Sequence, residues 1–458
     1  MNIALIIYLV VLVLIAVRSA RRVKDIPDFF VARKGASAKA VAGSLVATIL
    51  GGSAVIGAVD SGARLGGAAS WFMLTGALGL IALIPFAGRA YSHGKYALPD
   101  LVENLYGKGP RFVASIVIPV AWTGIVAAQI IAAAKLLMTF TPMEYTTAAI
   151  VSAAVFTGYT LAGGQLSILR TDFFQACLII AGLVLVAGFA LFGGAAATSG
   201  AQLTAATQAA SAPPFPFHAN FTPFDLFLLI LTYGTTYTAG PDIFSRMFCA
   251  KDVATAKKAI AGAACTLIPV AFVIGFLAVY GVSLGEVQGA RITAIANAVL
   301  PPTLLPLFAL ALLSVVLSSA DTTLLSSSVI ICRLFDMGNA ADRNSAKNPL
   351  AKARIVILLN GIVALLLALV FTDIIGTLLL ALAVYAGAFT VPVLWGLLGL
   401  KAKPKFVAAA IVAGGALALA GKLCPALPGA LGAHTGDFLM VAAFIVNAVI
   451  LAFGREKK

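Results

Sequence analysis

The sequence predicts an all-α integral membrane protein of about 13 transmembrane helices around a five-plus-five inverted repeat. Three observations predict it. The 458-residue chain is 61% hydrophobic and only 10% charged, with a mean hydropathy of +1.05; soluble domains carry about 25% charge. Its apolar runs match the roughly 20 residues that a helix needs to cross a bilayer. Its basic residues concentrate in alternate loops. The net charge of +14 is therefore a topology signal, and no nucleic-acid partner is expected.

Thirteen spans, numbered 0 to 12, are read at 2–18, 38–58, 68–89, 112–138, 146–163, 171–195, 222–246, 259–284, 303–332, 355–372, 374–398, 405–422 and 437–453. Alternate loops (18–39, 89–111, Arg170, 246–258, 333–354, 401–405 and 455–458) hold 27 of the 31 Lys and Arg residues. The opposite loops hold only Arg64, Arg291 and Lys422, and Lys135 lies inside span 3. By the positive-inside rule the first set is cytoplasmic. This places a multi-pass chain in the cell membrane with its N-terminus outside and its C-terminus inside.

Span 0 carries its charges, RSARR, after the apolar run, the reverse of a signal peptide. Residues 1–20 are thus expected as a retained extra helix. Residues 38–398 form the core, with repeats at 38–195 and 222–398, and 399–458 supply two C-terminal helices and a short tail.

Two spans are interrupted. Span 1, KAVAGSLVATILGGSAVIGAVDSG, has Gly51-Gly52-Ser53 at its middle. A mid-helix glycine costs about 1 kcal/mol, although small residues also suit close helix packing in membranes. Span 6, LTYGTTYTAGPDIFSRMF, has Gly234, Gly240 and Pro241. Five spans separate the interruptions. Paired breaks in corresponding halves point to inverted-repeat transporters, whose unwound segments present backbone carbonyls to an ion.

Span 8 contains LSSADTTLLSSS at 317–328. An intramembrane aspartate costs about 2.5–3.5 kcal/mol on insertion scales. Ser318, Asp321 and Thr322 are spaced i, i+3, i+4 and share a face, with Ser319 beside them. Such oxygens suit a hard monovalent cation. A lone serine would bond back to its i−4 carbonyl, but an aspartate cannot satisfy itself that way. Asp172, in ILRTDFFQACLII, begins span 5. It either caps a helix N-terminus or shares a cation with the span 8 face. Without a cation, one of the two carboxylates takes a proton.

Cys177, Cys249, Cys265, Cys332 and Cys424 have no metal-type spacing and imply no disulfide framework. His93, His218 and His434 fall in loops. No Ser-His-Asp set, CxxC pair or phosphate loop is visible, so neither an enzyme nor an organic cofactor is expected.

These residues resemble the sodium:solute symporter family, which includes sodium-coupled transporters for sugars, proline, sialic acid, pantothenate and choline. The resemblance runs from Asp25 to about Asp336. It is carried by DFFVARK (28–34), SLVATILGGSAVIG (44–57), YALPDLVENLYG (96–107), YTLAGGQLSILRTDFFQ (159–175), GPDIFSRMF (240–248) and LSSADTTLLSSS. The Ser-Ser-Ala-Asp pattern is similar to the choline-transporter branch. The resemblance implies symport of a small organic solute, a carboxylate or another small metabolite, with sodium as the coupling ion. It implies a main sodium site made of the carbonyls of Ala47, Leu50 and Val315 with Ser318 and Ser319. It implies a second cation or proton site at Asp172, Ser318, Asp321 and Thr322. Asp321 stands where many members carry serine or another small residue, which leaves the ion ratio open.

The solute is expected at the midplane, between the two breaks and spans 2, 3 and 10. The candidates are Gly51, Gly52, Ser53, Gln129, Tyr233, Tyr237 and Tyr385. Trp122 with Tyr233 and Tyr237 would make a thin aromatic cage for a quaternary ammonium. Lys135 either snorkels to the headgroups or recognises a substrate carboxylate. The rival readings are proton coupling through Asp172 and Asp321, a membrane-embedded sensor, and a channel. A sensor would need a separate partner, because the chain stops at GREKK after span 12.

Overall fold

The computed structural model describes residues 2–21, 23–192, 215–287, 289–335, 349–372, 374–423 and 435–456. Cys424, His434 and most of the 196–221 loop lie outside them. The main elements are α1 (Asn2–Ala20), α2 (Ala38–Ile49), α3 (Ser70–Leu83), α4 (Lys108–Phe140), α5 (Tyr145–Phe192), α6 (Pro223–Leu229), α7 (Thr235–Ala239), α8 (Pro241–Met247), α9 (Val253–Val282), α10 (Leu305–Phe335), α11 (Pro349–Val370), α12 (Ile374–Leu397), α13 (Pro404–Leu423) and α14 (Thr435–Phe453).

Every predicted span falls on helix. Among the described residues, nine helices are long and apolar enough to cross a membrane, and a bent pair at span 1 makes a tenth. Spans 0, 4 and 6 fall on shorter or broken helix. The bend at span 1 is 56° between Ala38–Ile49 and Ala54–Asp60. Span 6 is α6, a π turn at Ile230–Gly234, α7, and then α8 after extended backbone at Gly240 (φ −69°, ψ 138°). Pro241 opens α8, where its missing N–H leaves no helical bond unmade.

Two expectations are corrected. No loop separates spans 4 and 5. A single residue, Gly164 (φ 54°, ψ −155°), breaks α5, and a side chain there would meet the Phe29 carbonyl at 2.7 Å. Only glycine combines that φ with that approach. Arg170 is helical, and its Nη1 donates to Ser19 Oγ of α1 at 3.2 Å. Asp172 therefore lies two turns inside the helix and caps nothing. The second correction concerns Arg246, counted above with a basic loop. It lies in α8 and is fully buried. Removing it from the loop tally leaves the charge asymmetry intact.

A short helix, Ile26–Val31, links α1 to α2, and Asp25 caps it by accepting from Asp28 N. Ala32, Arg33 and Lys34 follow with φ of 45°, 51° and 54°. Left-handed backbone is unfavourable for three consecutive residues with side chains. Arg33 opposes this by pairing with Asp28 at 2.7 Å and Asp25 at 2.8 Å. The Arg33 hydrogen bond holds the Asp28 carboxyl down at about 2.

Among the described residues a main apolar core runs through the bundle, with two smaller clusters beside it, and α10 contributes to the main one. From Ser314 to Ile330 every residue of α10 is buried. Its hydroxyls and carboxylate thus face other helices and not lipid.

Candidate functional site

The site begins where α2 stops. Leu50 leaves helical geometry (φ −75°, ψ 49°) while its N–H still reaches Val46 O. The broken α2 places its last carbonyls against α10. Ser318 Oγ lies 2.9 Å from Ala47 O, 2.8 Å from Ser314 O and 3.4 Å from Val315 O. Ser314 O and Val315 O belong to the same turn of α10 as the hydroxyl, so Ala47 O is the acceptor that α2 brings to it. Ser319 Oγ donates to Thr48 O at 3.0 Å. A Cβ on Gly51 would come within 2.6 Å of that hydroxyl, so the glycine permits the approach. Ala47, Val315 and Ser318 are thus brought together. Ser319 meets the carbonyl of Thr48, a residue that sequence reasoning missed, and Leu50 makes no hydrogen bond to either serine.

Beside this cluster, Arg246 reaches across four segments. Its Nε donates to Ser44 Oγ of α2 at 3.2 Å and its Nη1 to Ser245 Oγ at 2.9 Å. Its Nη2 donates to Thr322 Oγ1 of α10 and stands 3.7 Å from Asp172 Oδ2 of α5. Ser44 also donates to that carboxylate, and Thr322 lies 3.3 Å from Thr48 Oγ1. Where the sequence suggested an exchangeable cation between Asp172 and Thr322, the chain supplies a guanidinium of its own. Asp321 is fully buried, and neither of its oxygens has a hydrogen-bond partner among the described residues. Asp172 and Asp321, with Asp242 one turn from Arg246 on α8, set three buried carboxyls around one guanidinium and leave negative charge in excess. Burying it unbalanced is costly, so a further cation or a proton must offset it.

A narrow cavity of about 40 Å³ opens next to Ser319, room for a few water molecules. Its lining includes Gly51, Gln129, Tyr233 and Tyr237 from the predicted set, together with Trp122 and Asp242. Gly52 N donates to Gln129 Oε1 at 3.3 Å, which ties the α2 break to α4. Tyr385 does not line the cavity. It packs behind Trp122 at 4.5 Å, with its hydroxyl on the Ala239 carbonyl at the span 6 break. Span 2 also stays behind the lining, where Phe72 meets Tyr233 edge-on at 6.1 Å. The Ser53 side chain lies outside the described residues.

Lys135 is exposed and lines a separate cavity of about 630 Å³ with Asp60, Ala132 and Thr139. Gln129, Ala132, Lys135 and Thr139 lie on one side of α4, so the two cavities follow each other along that helix.

Asp242 and Arg246 were missed because GPDIFSRMF was read for its break at Gly240-Pro241 and Arg246 was counted with the basic loop that follows. Their spacing was the available signal. Residues i and i+4 after a helix-opening proline share a face, and the intervening Ile243, Phe244 and Ser245 are buried.

The sequence profile of the sodium:solute symporter family matches residues 29–405. The chain is 25% identical over 362 residues to a sodium/proline symporter of Haemophilus influenzae, covering 74% of this chain and 69% of that one. Its fold is similar to a Na+-coupled sialic acid symporter solved in a substrate-bound outward-open state. That match has a TM-score of 0.79 and 18% identity, covering 100% of this chain and 99% of the other. It is also similar to a closed nucleobase-cation-symport-1 family transporter with bromovinylhydantoin bound, at a TM-score of 0.59 and 16% identity over 93% and 94% of the chains.

Proposed function

The chain belongs to the sodium:solute symporter family, a multi-pass membrane transporter and not an enzyme, and from that premise we propose how it couples sodium to its solute. Sodium binds between the broken α2 and α10, held by the carbonyls of Ala47, Leu50 and Val315 and the hydroxyls of Ser318 and Ser319. The observation that carries this reading is the meeting of the two elements at Ser318 and Ser319, whose hydroxyls reach the Ala47 and Thr48 carbonyls at the end of the broken α2 at 2.9 and 3.0 Å. A naked alkali cation takes oxygen ligands of these kinds. Ser319 belongs to this set and also lines the cavity, so ion and solute share a wall. Their affinities are then reciprocally coupled.

The solute binds between Trp122, Tyr233, Tyr237, Gln129 and Asp242, where the present cavity of about 40 Å³ has to widen to admit it. We assign it as a small amino-acid-like zwitterion. Asp242 supplies a carboxylate for an ammonium group. Gln129, whose Oε1 is engaged by Gly52, turns its amide donors to a carboxylate. The sodium/proline symporter relative fits this class. A quaternary ammonium would meet Trp122, Tyr233 and Tyr237 in the lining but would leave the Gln129 amide donors without a carboxylate. Lys135 acts earlier, in the wider outer cavity.

A second cation site uses Asp172, Ser318, Asp321 and Thr322, with Arg246 neutralising one of the two acids. Arg246 also closes the inner side by tying α2, α5, α8 and α10 together. With the N-terminus outside, each sodium that enters across 100 mV brings about 2.3 kcal/mol. The paired breaks support reading the repeats as 38–195 and 222–398. The charge left on Asp321 also favours a second reading, in which a proton replaces the second sodium.

The test is uptake in proteoliposomes under an inward sodium gradient, across a panel of small amino acids chosen by thermal shift. Uphill accumulation that needs sodium supports the reading. Accumulation that follows a pH gradient in sodium-free buffer selects the proton. Binding without accumulation under either gradient defeats both.

A further inference from the structure

Four buried acceptor oxygens on the α5–α10 seam have no hydrogen-bond donor among the described residues. They are Asp172 Oδ1, Gln175 Oε1 and both carboxylate oxygens of Asp321. All three side chains are fully buried. Buried acceptors ordinarily find donors, and each one left without costs about 1–3 kcal/mol. Asp172 and Gln175 are three residues apart and share a face of α5. Ser314, Ser318 and Asp321 form one stripe along α10.

Gln175 and Ser314 are joined by Tyr8 of the extra N-terminal helix. Tyr8 Oη lies 2.7 Å from Ser314 Oγ, and Gln175 Nε2 donates to Tyr8 Oη at 3.1 Å. The direction of this chain follows from counting protons. Ser314 Oγ donates to Leu310 O at 2.9 Å, so its one proton is committed. Tyr8 must then donate to Ser314, and the Tyr8 oxygen is left as an acceptor. Only the amide nitrogen of Gln175 can meet it, because a flipped amide would set oxygen against oxygen. Tyr8 therefore selects the amide orientation, and Gln175 Oε1 stays free of donors on the seam that carries Asp172 and Asp321.

We propose that Gln175 Oε1 is a further ligand of the cation held by Asp172 and Asp321, and that Tyr8 is the positioning residue that presents it. An amide carbonyl suits a hard cation, whereas an amide NH2 in its place would repel one. The proposal rests on the second cation site described above. It gives α1, which lies outside the repeats, a part in ion binding.

The test is a sodium titration of the purified full chain, followed by thermal shift and by sodium-driven uptake. Tyr8→Phe is expected to raise the sodium midpoint of the Asp321-dependent event by about tenfold or more, the usual scale for a lost supporting partner. It should leave the Ser319-dependent event in place. Gln175→Met should match Tyr8→Phe. Gln175→Glu should restore the midpoint in the Tyr8→Phe background, since either carboxylate oxygen can face the ion. A merely structural role for Tyr8 would not show that rescue. If Asp321→Asn removes the second event while Tyr8→Phe and Gln175→Met leave it unmoved, this proposal fails and the second site survives. A single sodium event that is indifferent to Asp321→Asn overturns both.

Discussion

The guanidinium of Arg246 stands 3.7 Å from the carboxylate of Asp172, and both side chains are fully excluded from solvent. Removing one partner from such a pair strands the other charge, at about 3–5 kcal/mol. Arg246→Ala should therefore lower thermal stability sharply. Combining it with Asp172→Asn should recover most of the loss, and Arg246→Lys should keep stability but not the bonds to Ser44, Ser245 and Thr322. Uptake should fall in all three. Equal melting temperatures for Arg246→Ala and the parent would mean that the pair contributes nothing to the fold.

Ser318→Ala and Ser319→Ala each delete one oxygen proposed for the main sodium site. Each should raise the sodium concentration for half-maximal uptake by about tenfold, as expected for about 1.4 kcal/mol of lost binding. The double variant should show little sodium dependence at all. Sodium-driven uptake that survives intact in it would contradict the assignment.

Gly51→Ala puts a methyl group 2.6 Å from Ser319 Oγ. The serine must turn away from Thr48 O, which lies 3.0 Å from it now. Apparent sodium affinity should drop by about tenfold, a penalty of the same order as losing the hydroxyl. Expression and helix content should stay near parental levels, checked by detergent-solubilised yield and circular dichroism.

Asp242 and Lys135 are distinguished by where they sit. Asp242→Asn removes a buried charge from the cavity lining and should cut uptake by about tenfold or more, since a hydrogen bond to a charged group is worth about 1.5–3 kcal/mol. Lys135→Ala touches an exposed charge and should change apparent solute affinity by less than about fivefold, in keeping with about 0–1 kcal/mol for exposed pairs. Concentration-dependent uptake under saturating sodium separates the two. The reverse ranking would move the solute site outward.

Asp28 gives a pH signature outside the membrane. Its folded value of about 2, set by Arg33, lies below the ordinary aspartate value of about 3.9. A lowered carboxyl stabilises the fold above its unfolded value, and that contribution is lost as pH falls through the folded one. The destabilisation caused by Asp28→Asn should thus be constant from about pH 5 to 8 and fade only in strong acid. Melting curves across pH would read this directly, and a loss near neutrality would exclude the Asp28–Arg33 contact as its source.

Much of this was legible in the sequence, for particular reasons. Ser318, Ser319, Asp321 and Thr322 were visible because an acid among hydroxyls in an apolar run must find a polar partner inside the bundle. The break at Gly51-Gly52 was visible because glycine pairs are rare in mid-helix. Asp172 was placed at a helix start because Arg170 looked like a loop marker. In fact Gly164 carries the break, and the buried helix tolerates Arg170 through its bond to Ser19. Arg246 escaped notice for a similar reason, since a basic residue near a span end is usually a topology signal. Its burial depends on Ser44, Asp172 and Thr322 meeting it, and no single-sequence pattern encodes that convergence. Lys135 was grouped with the solute ligands by its position on α4, but the bundle divides that helix face between two cavities.

The seven residues of α8 form a single stiff rod, Pro241–Met247. Asp242 faces the cavity near one end, and Arg246 is anchored one turn further on. Their Cα positions cannot shift independently. A displacement of α8 at the acid therefore moves the base of Arg246 as well, so this short rod joins the wet pocket to the inner knot of hydroxyls.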